Sequence, residues 1–336
     1  MVEFLTSCAV VLAGLGGVAA AVLGLRRLTL ARAEQRRLDA EARLIPAALE
    51  LLDGMEPVGE VSEQDVDVFA ALLGRFGRLV RGVESERIAE FFEHHGWVDY
   101  ELGRLNSRRP WRRATAAFAL GDMGSSRAIP ALIQRLQDSE PDVRAAVARS
   151  LGRLGATDAV ESVVGGFASG RLPGSVAGQA LLSIGSSAVR GLRVLNEAED
   201  PAARAFAVEL IGLLGDASDE DVLVECLHDT SAEVRANAAR ALGRVGAEGA
   251  TLELAERLDD GVVLVRAAAA AALAAVGDHR VVARLVELAQ QDEFESARAA
   301  AEAAAQLDPE GVKRASSAAG SAVHLNEAAD LLELYA

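Results

Sequence analysis

The run Val143-Arg144-Ala145-Ala146-Val147-Ala148-Arg149-Ser150-Leu151-Gly152-Arg153-Leu154-Gly155 recurs along the chain, and that recurrence constrains the fold more than any other feature. It returns from Val234 to Gly246, with Arg235, Leu242, Gly243, Val245 and Gly246 at the same offsets, and again from Val265 to Gly277. Aligning the closing residue of each copy gives starts at Arg112, Val143, Pro173, Ala203, Val234, Val265 and Ala297, spaced by 30 to 32 residues. Arginine holds the second position as Arg113, Arg144, Arg204, Arg235, Arg266 and Arg298, and Gly174 interrupts the series. The closing glycines are Gly124, Gly155, Gly185, Gly215, Gly246 and Gly277, whereas the last copy has Pro309 and is degenerate. A period of this length is one supersecondary unit that cannot bury both of its faces alone, so neighbours must stack.

Each period reads as two helices. In the second copy Arg127 to Gln137 is followed by a turn through Asp138-Ser139-Glu140-Pro141-Asp142 and then by Val143 to Leu154. Asp142 and its counterparts are expected to cap helix starts, and the closing glycines to take a left-handed turn. Composition agrees: 51% of the chain is hydrophobic but only 4% aromatic, so the core must be built from Ala, Leu and Val. Such a core suits closely packed helices.

The run Asp142-Val143-Arg144-Ala145-Ala146 through Leu151-Gly152-Arg153-Leu154-Gly155, with Pro130 in the preceding helix, resembles the short HEAT-like repeats of the phycobilisome-lyase type. The resemblance covers roughly residues 97–308. It implies an all-α, right-handed α-solenoid of about seven helical repeats, with the Val-Arg-initiated helices on the concave side and the repeated Arg pairing with acidic turn residues in a ladder. Helices over 57–96 are expected to cap its start, and a helical pair over 309–336 its end.

Phe4 to Leu25 is a stretch of 22 residues without a charge, about 33 Å as a helix, and is expected to be a single transmembrane anchor within residues 1–27. Arg26, Arg27, Arg32, Arg36, Arg37 and Arg43 follow it, in a basic juxtamembrane helix and linker assigned to 28–56. The positive-inside rule then puts the N-terminus outside and the repeats in the cytoplasm of a bacterial cell membrane. Ala13, Gly17 and Ala21, like Gly16, Ala20 and Gly24, have the small-residue spacing through which two such helices could form a homodimer. The formal net charge is −16, which argues against nucleic acid as a partner.

No catalytic residue, metal site or cofactor emerges from the sequence. The histidines His94, His95, His228, His279 and His324 are scattered, and no His-Glu dipeptide of the kind that holds iron in HEAT-repeat hydroxylases is present. A lyase or hydroxylase of this repeat type remains the alternative, as does the same scaffold facing outside the cell. Cys8 and Cys226 are placed too differently to suggest a disulfide. The candidate surface lies at the variable offsets of the second helices, at Phe118, Arg149, Arg153, Gln179, Arg240 and Arg244. Guanidinium forks suit carboxylates, so the expected partner is a protein, itself membrane-bound in the simplest arrangement, that offers an acidic segment. The chain is expected to be a scaffold and not an enzyme.

Overall fold

The computed structural model describes residues 26–55 apart from 28, 30, 33 and 37, then 65–80, 82–319 and 323–334. All regular secondary structure among them is helical, in two compact units. One comprises the described residues up to Gly103 with Asp122–Ser125, and the other Arg104–Gly121 with the described residues from Ser126 onward. The expected membrane span at residues 4–25 lies outside the described residues, among which no helix is long and apolar enough to cross a bilayer.

The first unit is built on α1 (residues 38–52), α2 (Val66–Phe76) and α3 (Val83–His94), and α4 (Trp97–Arg104) runs to its boundary. Phe69, Leu72 and Leu73 of α2 and Ile88 and Phe92 of α3 are buried, and Phe69 meets Phe91 edge-on at 5.2 Å. Arg75 holds Glu41 at 2.7 Å. This unit carries most of the chain's sparse aromatics.

The second unit is a stack of helix pairs. Its second helices are α5 (Pro110–Met123), α7 (Pro141–Arg153), α9 (Gly174–Ile184), α11 (Pro201–Leu214), α13 (Ala232–Val245), α15 (Val263–Val276) and α17 (Phe294–Leu307). Between them run the shorter α6 (Ile129–Arg135), α8 (Val160–Ala168), α10 (Val189–Leu192), α12 (Glu220–Cys226), α14 (Thr251–Glu256) and α16 (Val282–Gln291), each entered through a single 3-10 turn. The terminal pair is α18 (Pro309–Ala319) and α19 (Val323–Leu334). In α19 Leu325 and Ala328 are buried, and Leu331 is exposed.

The second helices pack directly on one another, α7 on α9 and α11 through α13 and α15 to α17. Glycine makes that approach close. A Cβ added at Gly152 would lie 2.9 Å from the Ala180 Cα, one at Gly243 2.9 Å from the Ala272 Cα, and one at Gly212 2.5 Å from the Ala241 Cβ. The glycine inside the Leu-Gly pair is thus a packing residue, distinct from the closing glycine, which at Gly155, Gly246 and Gly277 takes a positive φ as expected. Gly215 departs, with φ −80°, and there Asp216 and Asp219 form a capping box.

The arginine ladder forms, with a partner that recurs at fixed distance downstream. Arg113 grips Asp138 through Nε (2.7 Å) and Nη2 (2.6 Å), Arg204 grips Asp229 (2.7 and 2.8 Å), Arg235 grips Asp260 (2.8 and 2.9 Å), and Arg266 grips Asp292 (2.5 and 2.6 Å). The remaining Nη1 donates to the turn before its own helix, at the carbonyls of Ser107, Ala198, Asp229 and Asp260. Asp229 and Asp260 therefore serve two arginines each, one through the carboxylate and one through the backbone. Each carboxylate also accepts a turn N–H, from Glu140, Ser231, Val262 or Glu293. Asp142, expected to cap the helix start, is instead exposed within its first turn; Glu140 is the N-cap and makes no side-chain cap bond, and Asp138 takes the Glu140 N–H. An Asp inside the turn reaches both the free N–H and the neighbouring guanidinium, which a residue already in the helix cannot.

These contacts set the carboxyl groups low. Burial alone would raise Asp292, but the bonds from Arg266, Ser296 and the Glu293 N–H outweigh it and hold the group at about 2. Asp138 and Asp260 are held below the ordinary range against the same opposing effect of burial, and Asp229 chiefly by the Arg204 fork.

Two consecutive rungs are missing. In the repeat register Ser169 stands where Arg144 would find its carboxylate, and Arg144 donates to the carbonyls of Asp138 (2.8 Å), Ser139 (3.0 Å) and Arg171 (2.9 Å). At the next position Gly174 replaces the arginine, and an aromatic contact takes its place, with the rings of Phe167 and Phe206 4.0 Å apart. A Cβ on Gly174 would come to 3.3 Å from Phe167, and one on Gly178 to 3.4 Å from Phe206, so both glycines make room for the pair.

Gly243→Ala should destabilise the array by about 1–3 kcal/mol, because backbone of α15 blocks the new methyl. Gly165→Ala, in the middle of α8 with open space at its Cβ, should stabilise it by about 0.5–1 kcal/mol. Urea unfolding followed by circular dichroism reads both, and equal effects of one sign would show that the close approach is unimportant. Asp292→Asn should lower stability by about 2 kcal/mol near neutral pH. The folded pKa is depressed, so the ladder's contribution is complete above the ordinary carboxylate value and is lost as pH falls toward about 2. The gap between variant and wild type in urea midpoint should therefore narrow from pH 5 to pH 2, and a constant gap would show that the charge on Asp292 is not what stabilises.

Candidate functional site

On each second helix the residues turned away from the stacked seams form a stripe, and the candidate residues lie on it. Arg149, Gln179 and Arg244 are exposed, Arg153 and Arg240 are half-buried, and Phe118 is 40% exposed. The stripe residues on α5, α7, α9, α11 and α13 all fall in the second unit. The stripe also carries the exposed Glu209, and Leu182 and Leu213, which are 42% and 49% exposed. Leu182 stands at the offset held by the packing glycines Gly121, Gly152, Gly212 and Gly243. That substitution was readable in the alignment, but its consequence, a large apolar side chain left at the surface, needed the structure.

Phe118 and Arg153 come together. The Arg153 guanidinium lies 5.7 Å from the Phe118 ring centroid, and its Nη2 donates to the Phe118 carbonyl (3.3 Å) and the Ser150 hydroxyl (3.2 Å). Arg153 is thereby committed to the α5–α7 seam. Arg240 donates to Asn237 (2.8 Å), whose amide in turn donates to the Ala205 carbonyl across to α11 (3.1 Å). Arg244 reaches over α11, where its Nη1 would lie 3.4 Å from a Cβ on Gly212. Gln179 is not brought against any other candidate residue.

Arg149, Arg240 and Arg244 form no ion pair among the described residues. The ladder arginines Arg113, Arg204, Arg235 and Arg266, a few residues from the stripe offsets of their helices, are by contrast paired with carboxylates. The long side chains of α7 and α13 instead present guanidinium groups to solvent in a protein whose net charge is −16.

Other chemistry is thinly represented. Among the described residues no group of three or more His, Cys, Asp or Glu side chains is placed to hold a metal ion. His94 and His95 pack edge to face at 5.4 Å, and His95 bonds the Phe91 carbonyl. Cys226 is a free, buried thiol whose pKa is pushed up to about 11, first by burial and then by Asp229 and Glu225, so it stays protonated at neutral pH.

The geometry of stacked helix pairs, close-approach glycines and an arginine ladder agrees with a family-model match. Residues 102–185, 190–264 and 221–306 match HEAT repeats, together more than half of the chain. The chain belongs to the HEAT-repeat family. Solved structures similar to this HEAT-repeat chain include human deoxyhypusine hydroxylase, at 21% identity over 81% of this chain and 98% of that one, with a TM-score of 0.32. The complex of CpcE and CpcF of phycocyanin lyase from Nostoc sp. PCC7120 aligns at 18% identity over 81% and 91%, with a TM-score of 0.26. An engineered protein aligns at 20% identity over 83% and 93%, with a TM-score of 0.33. A search of curated proteins finds no match. Family membership rests on the repeats, and no activity comes to this chain from these neighbours.

Proposed function

We propose that this HEAT-repeat chain is a membrane-tethered interaction scaffold, without catalytic activity, whose second-helix stripe receives an acidic segment of a partner protein. The observation that carries the reading is the unpaired state of Arg149, Arg240 and Arg244 on one layer of stacked helices in an acidic molecule. A guanidinium without a carboxylate partner has its fork free for one, and the exposed Leu182 and Leu213 between the two arginine regions add apolar contact. Glu209 lies between those regions as well, so an acidic ligand would have to place its charges on either side of α11.

The tether is the uncharged stretch at residues 4–25, and the arginines after it place the repeats on the cytoplasmic side. Confinement to the membrane plane raises the effective concentration of any membrane-bound partner.

Arg149→Glu, Arg240→Glu and Arg244→Glu combined should abolish recovery of the partner from detergent extracts, with the ladder intact and the helical content unchanged. Recovery of the same proteins by both forms would sink the arginine-stripe reading. Orientation is tested separately. Cys226 is only 9% exposed and a poor reporter, so Leu252→Cys, at a position 72% exposed, takes its place. An impermeant maleimide should label that thiol only after the cells are opened, and labelling of intact cells would put the array outside.

A further inference from the structure

The segment leading into α5 reads Arg108-Arg109-Pro110-Trp111-Arg112-Arg113, and it is the densest basic and aromatic run of the repeat array. Arg108 through Arg112 are five consecutive exposed residues, with Trp111 58% exposed. Arg112 lies 5.2 Å from the Trp111 ring centroid. None of Arg108, Arg109 and Arg112 has an ion-pair partner among the described residues. The following residue, Arg113, is the buried rung gripping Asp138, and through Nη1 it also holds the Ser107 carbonyl at 3.0 Å. Ser107 Oγ accepts the Arg109 N–H at 3.3 Å, and the Arg109 carbonyl accepts the Arg112 N–H at 3.0 Å. The patch is therefore held in shape by the ladder itself.

The departure from the repeat is specific. The position of Arg112 is Val143, Val234 and Val265 in three other copies, all fully buried, and the position of Trp111 is Asp142, Leu172, Ala202, Glu233, Leu264 and Ser296 in the other six. In the first repeat a valine that three other copies bury has become an exposed cation, beside an exposed tryptophan that no other copy carries.

We propose that this patch rests on the anionic surface of a lipid bilayer, as a second contact beside the tether. Three observations favour a membrane over a peptide or a nucleic acid. Five consecutive residues are exposed together, a run that a plane can meet along its length. Trp beside Arg is the pairing that suits a headgroup layer, with an amphipathic ring at the interface and cations on the lipid phosphates. The rest of the repeat array is acidic and repelled by such a surface, so within the array this run sets which side faces the lipid. The inference rests on the tethered reading for bringing the patch to a membrane, and three arginines near an anionic surface would strengthen that contact about a hundredfold.

The test uses the full chain with Trp97→Phe, leaving Trp111 as its one tryptophan, reconstituted into vesicles containing phosphatidylcholine brominated near the headgroup. With a quarter of the lipid as phosphatidylglycerol, Trp111 fluorescence should be quenched. Quenching should vanish in pure phosphatidylcholine, in 0.5 M salt, and in Arg108→Gln/Arg109→Gln/Arg112→Gln. The salt arm needs no variant and so does not depend on the triple change folding. Quenching insensitive to lipid charge and salt overturns the proposal, and so does its absence from all vesicles. Partner proteins or nucleic acid lost from pull-downs with the Gln variant while Trp111 stays unquenched would overturn it in favour of those ligands. Extraction by alkaline carbonate reads the tether independently: a chain that stays with the vesicles unquenched defeats the patch alone, and a chain that is released defeats the tether.

Discussion

A guanidinium fork laid across the turn of the next repeat organises the second unit. Each complete rung joins three things that would otherwise vary separately: the Arg helix, the turn before it through a carbonyl, and the following turn through a carboxylate that is itself bonded to a turn N–H. Two parallel charge-assisted bonds fix an orientation as well as a distance. The rungs are largely screened from water, with 11–16% of each arginine side chain and 2–13% of each aspartate accessible, so they cost desolvation and depend on their full set of partners. Apolar packing of Ala, Leu and Val supplies the driving force for stacking, but small side chains can slide past one another. The ladder selects one register among those that would bury similar area.

This interaction also shows what could be read in advance. The arginine at the second position was plain from the repeat, and Asp138, Asp229 and Asp260 recur with the same period. Hidden was the division of labour within the turn: Asp142 has the right residue type for a cap, yet it lies within the first turn of the helix, and Asp138, which also meets Arg113, takes the Glu140 N–H. The glycines divide similarly. Gly155 needed only the local rule for left-handed turns, whereas Gly152 is glycine because Ala180 of another helix approaches it, and nothing within one repeat records that. On the stripe, the variable offsets could be picked out from the repeat, but whether an arginine there is neutralised depends on neighbours one repeat away. Arg153 proved to be tied to Phe118, and Arg149, Arg240 and Arg244 to no carboxylate.

The distinction between paired and unpaired arginines separates structure from recognition in this chain. Residue type does not distinguish Arg235 from Arg240; both sit on α13, and both carry the same charge. Arg235 spends all three of its nitrogens within the array, while Arg240 is oriented by Asn237 and keeps the rest of its fork toward solvent. An acidic protein gains favourable energy by pairing such groups internally, and many carboxylates are available to it, so the persistence of unpaired arginines beside exposed leucines is the feature that the fold alone does not require. The patch at Arg108–Arg112 follows the same logic at the start of the array, where a buried valine position has been given up for charge.

The interruption between the two arginine regions of the stripe bears on how they can act together. Arg149 and Arg153 precede it, and Arg240 and Arg244 follow it. Across the gap Ser169 supplies no carboxylate, Gly174 supplies no guanidinium, and Phe167 against Phe206 fills the space. A bidentate pair loses much of its energy when either partner turns by a few tens of degrees, whereas tilted aromatic rings keep most of theirs over a range of offsets. Leu182, where four of the other copies have a packing glycine, removes a second constraint at the same place. The array is thus keyed by polar geometry on both sides of α9 and held by less directional apolar contact at α9 itself, so the spacing of the two arginine regions is the least rigidly specified distance along the stripe.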